Sequence, residues 1–221
     1  MSAASVVVVT GMAFEARTAA GTGAEVLFGL RAGALERALA VRLSSPCAGV
    51  ISFGVAGGLD AALVPGTVVV AKRIVDGEHG FDTDQAWSAA LRAALPQAVY
   101  GAVAGRDAAV ADVADKRILH RMSSALTVDM ESHIAARVAQ AAGVPYTACR
   151  VVIDPAWRSV PSSALAGMGS DGHTDIVALL RDLGEQPRQL AGLLQLARDA
   201  FTARSALHAA RRALGERFAM P

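Results

Sequence analysis

Short runs of β-branched residues with almost no charge alternate along this chain with alanine-rich segments whose apolar positions recur at helical spacing. The strand-like runs cover residues 6–9, 49–53, 67–71 and 147–153, and the helix-like segments cover residues 33–43, 85–94, 113–122 and 132–142. A strand that is apolar along its whole length needs a covering layer on both faces of its sheet. The pattern therefore predicts an α/β fold, with helices on both sides of a sheet.

The chain ends in a long helical pattern, from about residue 188 to residue 218, and nothing resembling a linker divides the 221 residues, so we expect one domain over residues 1–221. The tail combines an excess of arginine with an apolar stripe formed by Leu190, Leu193, Leu194, Ala197, Phe201, Leu207, Leu214 and Phe218. Packing of this stripe on the sheet is the simpler interpretation. The alternative is peripheral contact with an anionic membrane, since apolar insertion and attraction of arginines to headgroups would add.

The amino-acid composition of the chain argues against several classes of function. A formal net charge of +1 gives no electrostatic case for nucleic acid binding. Cys47 and Cys149 stand in apolar contexts, and the five histidines lack metal-ligand spacing, so we expect reduced thiols and no metal site. No segment has the composition of a membrane span or a signal peptide. These features favour a cytoplasmic protein, with contact to the inner membrane only through the tail.

Two acidic motifs stand at the ends of predicted elements. VDMES, residues 128–132, places Glu131 at the start of a helix-like segment, and RVVID, residues 150–154, places Asp154 just past a strand. One carboxylate in such a pair can hold a sugar while the other protonates a leaving group. The pair therefore indicates cleavage of an N-glycosidic bond.

These motifs resemble the purine nucleoside phosphorylase and methylthioadenosine nucleosidase superfamily, whose members cleave the bond between a purine and ribose. SFGVAGGL at residues 52–59 and VPGTVVV at residues 64–70 resemble further signatures of that superfamily, in the same order and spacing. The resemblance covers residues 6–156. It implies a three-layer αβα fold with a central mixed sheet, a small-molecule nucleoside as substrate, no cofactor and a homo-oligomer.

Within the superfamily, four features resemble the hopanoid-associated phosphorylases: residues 10–17, 51–60 and 82–87 and the Arg/Leu-rich end after Asp154. That branch implies a lipid-linked substrate, adenosylhopane, from which adenine is released during hopanoid biosynthesis. The enzymatic alternative is a methylthioadenosine or adenosylhomocysteine nucleosidase. A non-catalytic module that binds purine nucleosides is the alternative from another class, and the joint presence of an acid and a nucleophile activator argues against it.

The resemblance assigns the two motifs their roles. Asp154 would be the general acid that protonates the purine ring, which requires a raised pKa, and the neighbours Ile153, Pro155, Ala156 and Trp157 are expected to raise it by desolvation. Glu131 would accept hydrogen bonds from two ribose hydroxyls, and Met130 would offer an apolar surface to the sugar. Asp129 is better suited to capping the helix that follows.

The acceptor of the ribosyl group is left open by the sequence. Glu15 matches the glutamate that activates water in hydrolytic nucleosidases, and Val55 lacks the hydroxyl that phosphorylases place in the Gly-rich loop for phosphate. Inorganic phosphate as a co-substrate would need a compensating cation, for which Arg150 and Arg31 are the candidates. A buried Arg150 would equally suit a role in orienting Glu15.

The remaining candidates are backbone or small side chains. Val55, Ala56 and Gly57 are predicted to form the loop that faces the substrate, with the glycines there allowing close approach of the backbone. Ala109 and Val110 align with the segment that contacts the base in the superfamily. Both lack the aromatic ring expected at that place.

Overall fold

The computed structural model of the protein describes residues 4–30, 32–169 and 171–221. The strands are β1 (Val6–Thr10), β2 (Ala24–Phe28), β3 (Gly49–Gly58), β4 (Val68–Asp76), β5 (His79–Asp82), β6 (Val99–Gly105), β7 (Thr127–Asp129) and β8 (Tyr146–Asp154). The helices are α1 (Ala13–Ala19), α2 (Ala32–Leu43), α3 (Gln85–Ala94), α4 (Val113–Ser123), α5 (Ser132–Ala141), α6 (Ser162–Ala166), α7 (Ile176–Glu185) and α8 (Leu190–Ala213), the last preceded by a 3-10 turn at Pro187–Gln189.

The eight strands form one mixed sheet. Its order is β2-β1-β3-β7-β6-β4-β5, and β8 pairs with both β3 and β4. β8 is parallel to β3 and antiparallel to β4, while the end of β3 is antiparallel to β7. Strands β3, β8, β4, β6 and β7 therefore close into a ring, which brings the ends of β3, β6, β7 and β8 together.

Helices cover both faces of the sheet, as the apolar strands predict. In β1, Val7 and Val9 belong to a core shared with α2 and α5, whereas Val6 and Val8 belong to a core shared with α3 and α8. Successive side chains of a strand point to opposite faces of the sheet, so an unbroken apolar run is buried on both faces. The predicted three-layer αβα architecture with a mixed sheet is confirmed.

The C-terminal tail divides into two halves with different surroundings. Leu207 in α8, and Leu214 and Phe218 beyond it, are buried against the sheet. The indole of Trp87 donates a hydrogen bond of 2.7 Å to the carbonyl of Phe218 and fixes the end of the tail to α3. In the first half of α8, by contrast, Leu194 and Phe201 are exposed. The prediction of a single apolar stripe from 190 to 218 is therefore wrong, because only the second half packs on the sheet.

Most of the predicted elements are present, with ends displaced by a few residues. Strand β3 is longer than expected, because it continues through the Gly-rich segment to Gly58 and its end pairs with β7. Strands β2, β5, β6 and β7 and helices α1, α6 and α7 were not predicted. Among the described residues, no helix is both long enough and apolar enough to cross a membrane.

Candidate active site

A cavity of about 430 Å³ lies where β1, β3, β6, β7 and β8 end. Ligand sites of α/β proteins commonly occupy such a place, because loops that leave neighbouring strand ends converge there. Nine of the residues that the sequence singles out line this cavity: Glu15, Val55, Ala56, Gly57, Ala109, Val110, Met130, Glu131 and Asp154. Residues 139 positions apart in the chain are thus brought to one site.

Glu15 lies in the first turn of α1 with its carboxylate held by three backbone N–H groups. Gly11 and Met12 donate to one oxygen at 2.9 and 2.7 Å, and Val55 donates to the other at 2.6 Å. Burial raises the pKa of this carboxyl, against the opposing effects of Arg150 and the three hydrogen bonds. A carboxylate that is fixed in position and has a raised pKa is suited to accept a proton from water.

Gly54 permits the close approach of Glu15 to β3. A Cβ atom added at Gly54 would clash with the carboxylate oxygen of Glu15 and would lie 2.8 Å from Nη1 of Arg150. A Cβ atom at Gly57 would meet nothing nearer than 3.4 Å, which is ordinary van der Waals contact. Among these two positions, only Gly54 is required for close packing within the protein, and the approach of the Gly57 backbone to a ligand stays a prediction.

Asp154 is the last residue of β8 and lines the cavity. The residue is 8% exposed, and its carboxyl group forms an ion pair with Lys116 of α4, whose side chain is fully buried. Burial raises the pKa of Asp154, and the ammonium of Lys116 opposes that effect. Pro155 and Ala156 are buried as expected, but Trp157 is 49% exposed and does not provide the predicted desolvation.

Glu131 is the residue that directly precedes α5, and its carboxylate is almost fully buried in the cavity wall. A Cβ atom at Gly11 would lie only 2.5 Å from Oε1 of Glu131, so the backbone of the β1 loop passes close to this carboxylate. Met130 lines the cavity next to it. Glu131 and Met130 thus both line the cavity, and their contact with a ribose stays a prediction.

Asp129 and Arg150 form the support behind Glu131. Asp129 accepts hydrogen bonds from the N–H groups of Glu131 and Ser132 at 3.1 and 2.8 Å, the arrangement of a helix cap. Arg150 is fully buried, with Nε 2.7 Å from Asp129 and Nη2 3.4 Å from Glu131. The guanidinium neutralises two neighbouring carboxylates and holds them in place.

Arg150 does not line the cavity, because Ser52, Asp129 and Ser132 surround its guanidinium behind the carboxylates. Of the two roles that the sequence left open for Arg150, this place favours support of Glu15, whose pKa the guanidinium lowers, over direct contact with phosphate. Arg31, the other candidate cation for phosphate, lies outside the described residues.

The part of the cavity next to the predicted base-contacting segment is lined by small side chains. Ala109 is exposed at the rim and Val110 is half-buried, and both line the cavity together with Ala108. Val55, Ala56 and Gly57 also line the cavity, but the prediction that they form a loop is wrong, because they belong to β3 and pair with β8. No aromatic residue lines the described part of this wall, so contact with a flat base would come from methyl groups and backbone.

The far side of the cavity is an apolar wall that the sequence did not predict. It is built by α6, α7 and α8 and by the segments between them, and its larger side chains are Val160, Leu165, Met168, Leu179, Leu193 and Leu196. These elements follow the VDMES and RVVID motifs, in a region without recognisable chemistry. Helical spacing marks the apolar faces of α7 and α8, but it does not tell whether such a face lines a cavity or packs in the core.

Comparison with known proteins gives one family match. Residues 6–166, well over half of the chain, match the family model described as the phosphorylase superfamily. A search of curated protein sequences finds no match.

Solved structures share the fold at low sequence identity. The 5′-methylthioadenosine/S-adenosylhomocysteine nucleosidase of Helicobacter pylori, in complex with butyl-thio-DADMe-Immucillin-A, is 17% identical over 95% of this chain and 98% of its own, with a TM-score of 0.66. The S-adenosylhomocysteine nucleosidase of Streptococcus pyogenes is 20% identical over 71% of this chain and 86% of its own, with a TM-score of 0.64. The futalosine hydrolase of H. pylori is 18% identical over 69% and 89%, with a TM-score of 0.59.

The fold, the grouping of the motif carboxylates around one cavity and the family match agree with one another. The chain belongs to the phosphorylase superfamily, as an enzyme of the nucleoside phosphorylase and nucleosidase type.

Proposed function

We propose that the protein hydrolyses the N-glycosidic bond of a purine nucleoside and releases the free base, with water as the acceptor. The observation that carries this proposal is the pairing of two carboxyl groups in one cavity. Glu15 is tethered by backbone N–H groups and Asp154 is paired with a buried cation. A base for water and an acid for the leaving group are the two functions that hydrolysis requires.

The charge of the cavity wall supports water over phosphate. Among the described lining residues, the ionisable side chains are the carboxyl groups of Glu15, Asp129, Glu131 and Asp154, and the cations that pair with three of them, Arg150 and Lys116, lie behind the wall. A phosphate dianion in the cavity would meet these carboxyl groups before either cation, and repulsion between like charges at close range is unfavourable in a partly buried place. Water carries no such cost.

The mechanism assigns one step to each carboxyl group. The C1′–N bond of the nucleoside breaks and its electron pair goes to the purine, while the Asp154 carboxyl gives its proton to a ring nitrogen. Glu15 takes a proton from water, whose oxygen forms the new bond to C1′. Glu131, held by Arg150 and the β1 loop, accepts hydrogen bonds from the ribose hydroxyls and keeps the sugar in line with both groups.

The apolar wall supports a substrate with a large apolar group on the ribose. We infer adenine as the base and a hopanoid-like hydrocarbon as the substituent from the resemblance of residues 10–17, 51–60 and 82–87 to the hopanoid-associated branch. Leu165, Leu179, Leu193 and Leu196 offer such a chain a continuous apolar surface. A methylthioadenosine nucleosidase is the alternative, since the H. pylori structure holds an analogue with a butylthio group.

Adenine release from a series of 5′-alkylthio adenosines of increasing chain length tests the substrate class. The proposed class predicts that kcat/KM rises as the alkyl chain grows, because each buried methylene contributes about 0.8 kcal/mol at most. Leu193→Asp should remove that dependence, since Leu193 lines the cavity, whereas the matched variant Leu194→Asp should keep it, since Leu194 is exposed. A preference for the methylthio substrate in the unmodified protein would support the nucleosidase alternative.

Contact with a membrane is proposed for the first half of α8 alone. Leu190, Leu194 and Phe201 are exposed near Arg188 and Arg198, whereas Arg211 is held by the carbonyl of Ala19. Co-sedimentation with anionic liposomes should fall at high salt and in the double variant Leu194→Glu, Phe201→Glu. The absence of binding at low salt would refute membrane contact through α8.

A homo-oligomer is proposed from the resemblance and from the exposed side chains of Ile118 and Met122 on α4. Exposed apolar side chains that cluster on one helix are typical of interfaces between subunits. The molar mass in solution, measured by light scattering, tests it. A monomer at all concentrations would refute this part of the proposal.

A further inference from the structure

Lys116 is a fully buried lysine in the first turn of α4. Its Nζ donates hydrogen bonds to a carboxylate oxygen of Asp154, to the carbonyl of Pro155 at 3.1 Å and to the carbonyl of Arg158 at 2.9 Å. An ammonium group has three N–H donors, and all three have acceptors here. The side chain is therefore held rigidly at the end of β8.

Lys116 approaches Asp154 from behind the cavity. Asp154 lines the cavity wall, and Lys116 does not. A buried ion pair adds little net stability over an apolar pair of similar size, because both charges lose their hydration. A role limited to packing would not require a charge at this place.

The other charged groups near Asp154 are paired with each other. Arg158, from the segment after β8, forms an ion pair with Asp199 of α8, and Gln195 donates a hydrogen bond of 3.1 Å to the same carboxylate. Asp199 favours the protonated form of Asp154, and Arg158 favours the ionised form. These two influences oppose each other, which leaves Lys116 as the strongest charged partner of Asp154.

We propose that Lys116 is the positioning residue of the general acid: it fixes the Asp154 carboxyl toward the base and stabilises the carboxylate that remains once the proton has been given away. The inference rests on the proposed function, in which Asp154 protonates the leaving purine. In that step the O–H bond of Asp154 breaks, an N–H bond forms on the purine, and the purine keeps the electron pair of the C1′–N bond. Lys116 keeps its own proton throughout.

The physical reason is a balance between two effects on one carboxyl. Burial raises the pKa of Asp154 and keeps a proton available near neutral pH, while the ammonium of Lys116 lowers it again. Without the cation, the buried carboxylate formed by proton transfer would have no partner, so the acid would give up its proton less readily. Lys116 thereby makes a desolvated carboxyl a stronger acid.

The test is the pH dependence of kcat for adenine release from 5′-methylthioadenosine, measured on Lys116→Gln, Lys116→Arg and the unmodified protein. Lys116→Gln removes the charge and keeps hydrogen-bond donors for the two carbonyls. We expect kcat to fall about tenfold or more and the alkaline limb of the profile to move to higher pH, with KM changed by less than about threefold. Lys116→Arg should leave the alkaline limb near its original position, because it keeps the charge.

The other lysine of the chain, Lys72, is exposed on β4 and provides the matched control, Lys72→Gln, which should behave as the unmodified protein. Thermal unfolding establishes that each variant is folded, and Lys116→Met carries the same expectation if Lys116→Gln does not fold. A lower kcat with an unmoved alkaline limb would overturn the proposal, as would unchanged kcat. Absence of base release by the unmodified protein from every member of the 5′-alkylthio series would instead refute the proposed function itself.

Discussion

The carboxylate of Glu15 accepts a hydrogen bond of 2.6 Å from the backbone N–H of Val55, and this contact joins the first helix to the Gly-rich end of β3. Val55 stands where phosphorylases of the superfamily that the sequence resembles place a hydroxyl group for phosphate. Its backbone N–H is already bonded to the carboxylate of Glu15. A donor that already serves an anion of the protein is not available to a second anion. The contact therefore favours water over phosphate as the acceptor of the ribosyl group.

Glu15→Gln should lower kcat by about a hundredfold or more, because an amide cannot take a proton from water. KM should change little, since Glu15 does not hold the sugar in this account. Steady-state adenine release in phosphate-free buffer measures both constants. Full activity that depends strictly on added phosphate would show that Glu15 does not activate water.

Gly54→Ala should abolish most activity, because its Cβ would clash with the Glu15 carboxylate and displace it from the N–H groups that hold it. Gly184→Ala in α7 is the control, because Gly184 does not line the cavity and its added Cβ would meet nothing within 4 Å. We expect less than about a threefold loss of kcat/KM for Gly184→Ala, with both variants folded by circular dichroism. Equal losses in the two variants would contradict the assignment of Gly54 to the support of Glu15.

The plot of activity against pH should be bell-shaped. Both of its limbs should lie above the pH range in which ordinary carboxyl groups titrate. Glu15 must be ionised to accept a proton, so activity is lost as pH falls through its raised pKa. Asp154 must be protonated to donate, so activity is lost as pH rises through its raised pKa. A profile of kcat against pH measures both limbs. In Glu15→Gln the acidic limb should disappear, and its persistence would assign that limb to another group.

Glu131→Gln should damage both substrate affinity and turnover, because the ribose anchor acts in the ground state and in the transition state. We expect KM to rise and kcat to fall by about tenfold each, since a neutral amide accepts weaker hydrogen bonds from hydroxyl groups. Arg150 would then hold a carboxylate at Asp129 alone. Kinetic constants equal to those of the unmodified protein would remove Glu131 from the site.

The sequence predicted those elements whose hydrophobic pattern can be recognised without knowing which elements pack against them. Strand β1 is apolar on both faces, so its pattern is visible without knowledge of its neighbours. Strand β7 has three residues and is fixed by pairing with β3 and β6, which lie far away in the chain. Propensity over three residues is too weak to predict such a strand.

The same limit applies to the site. Glu15, Glu131 and Asp154 follow strands and belong to recognisable motifs, so the sequence could single them out. Lys116 lies within an amphipathic helix, where a lysine is ordinarily in solvent, and its partner Asp154 is 38 residues away in the chain. Only the packing of α4 against the end of β8 brings the two together.

The most direct measurement of the central claim is the rate of adenine release from 5′-methylthioadenosine by the purified protein, with and without inorganic phosphate, together with the identity of the sugar product. The carboxylate-lined cavity and the tethered Glu15 predict release at the same rate in both conditions, with the free ribose sugar as the product. Release that requires phosphate and yields the sugar 1-phosphate would contradict hydrolysis and make the protein a phosphorylase.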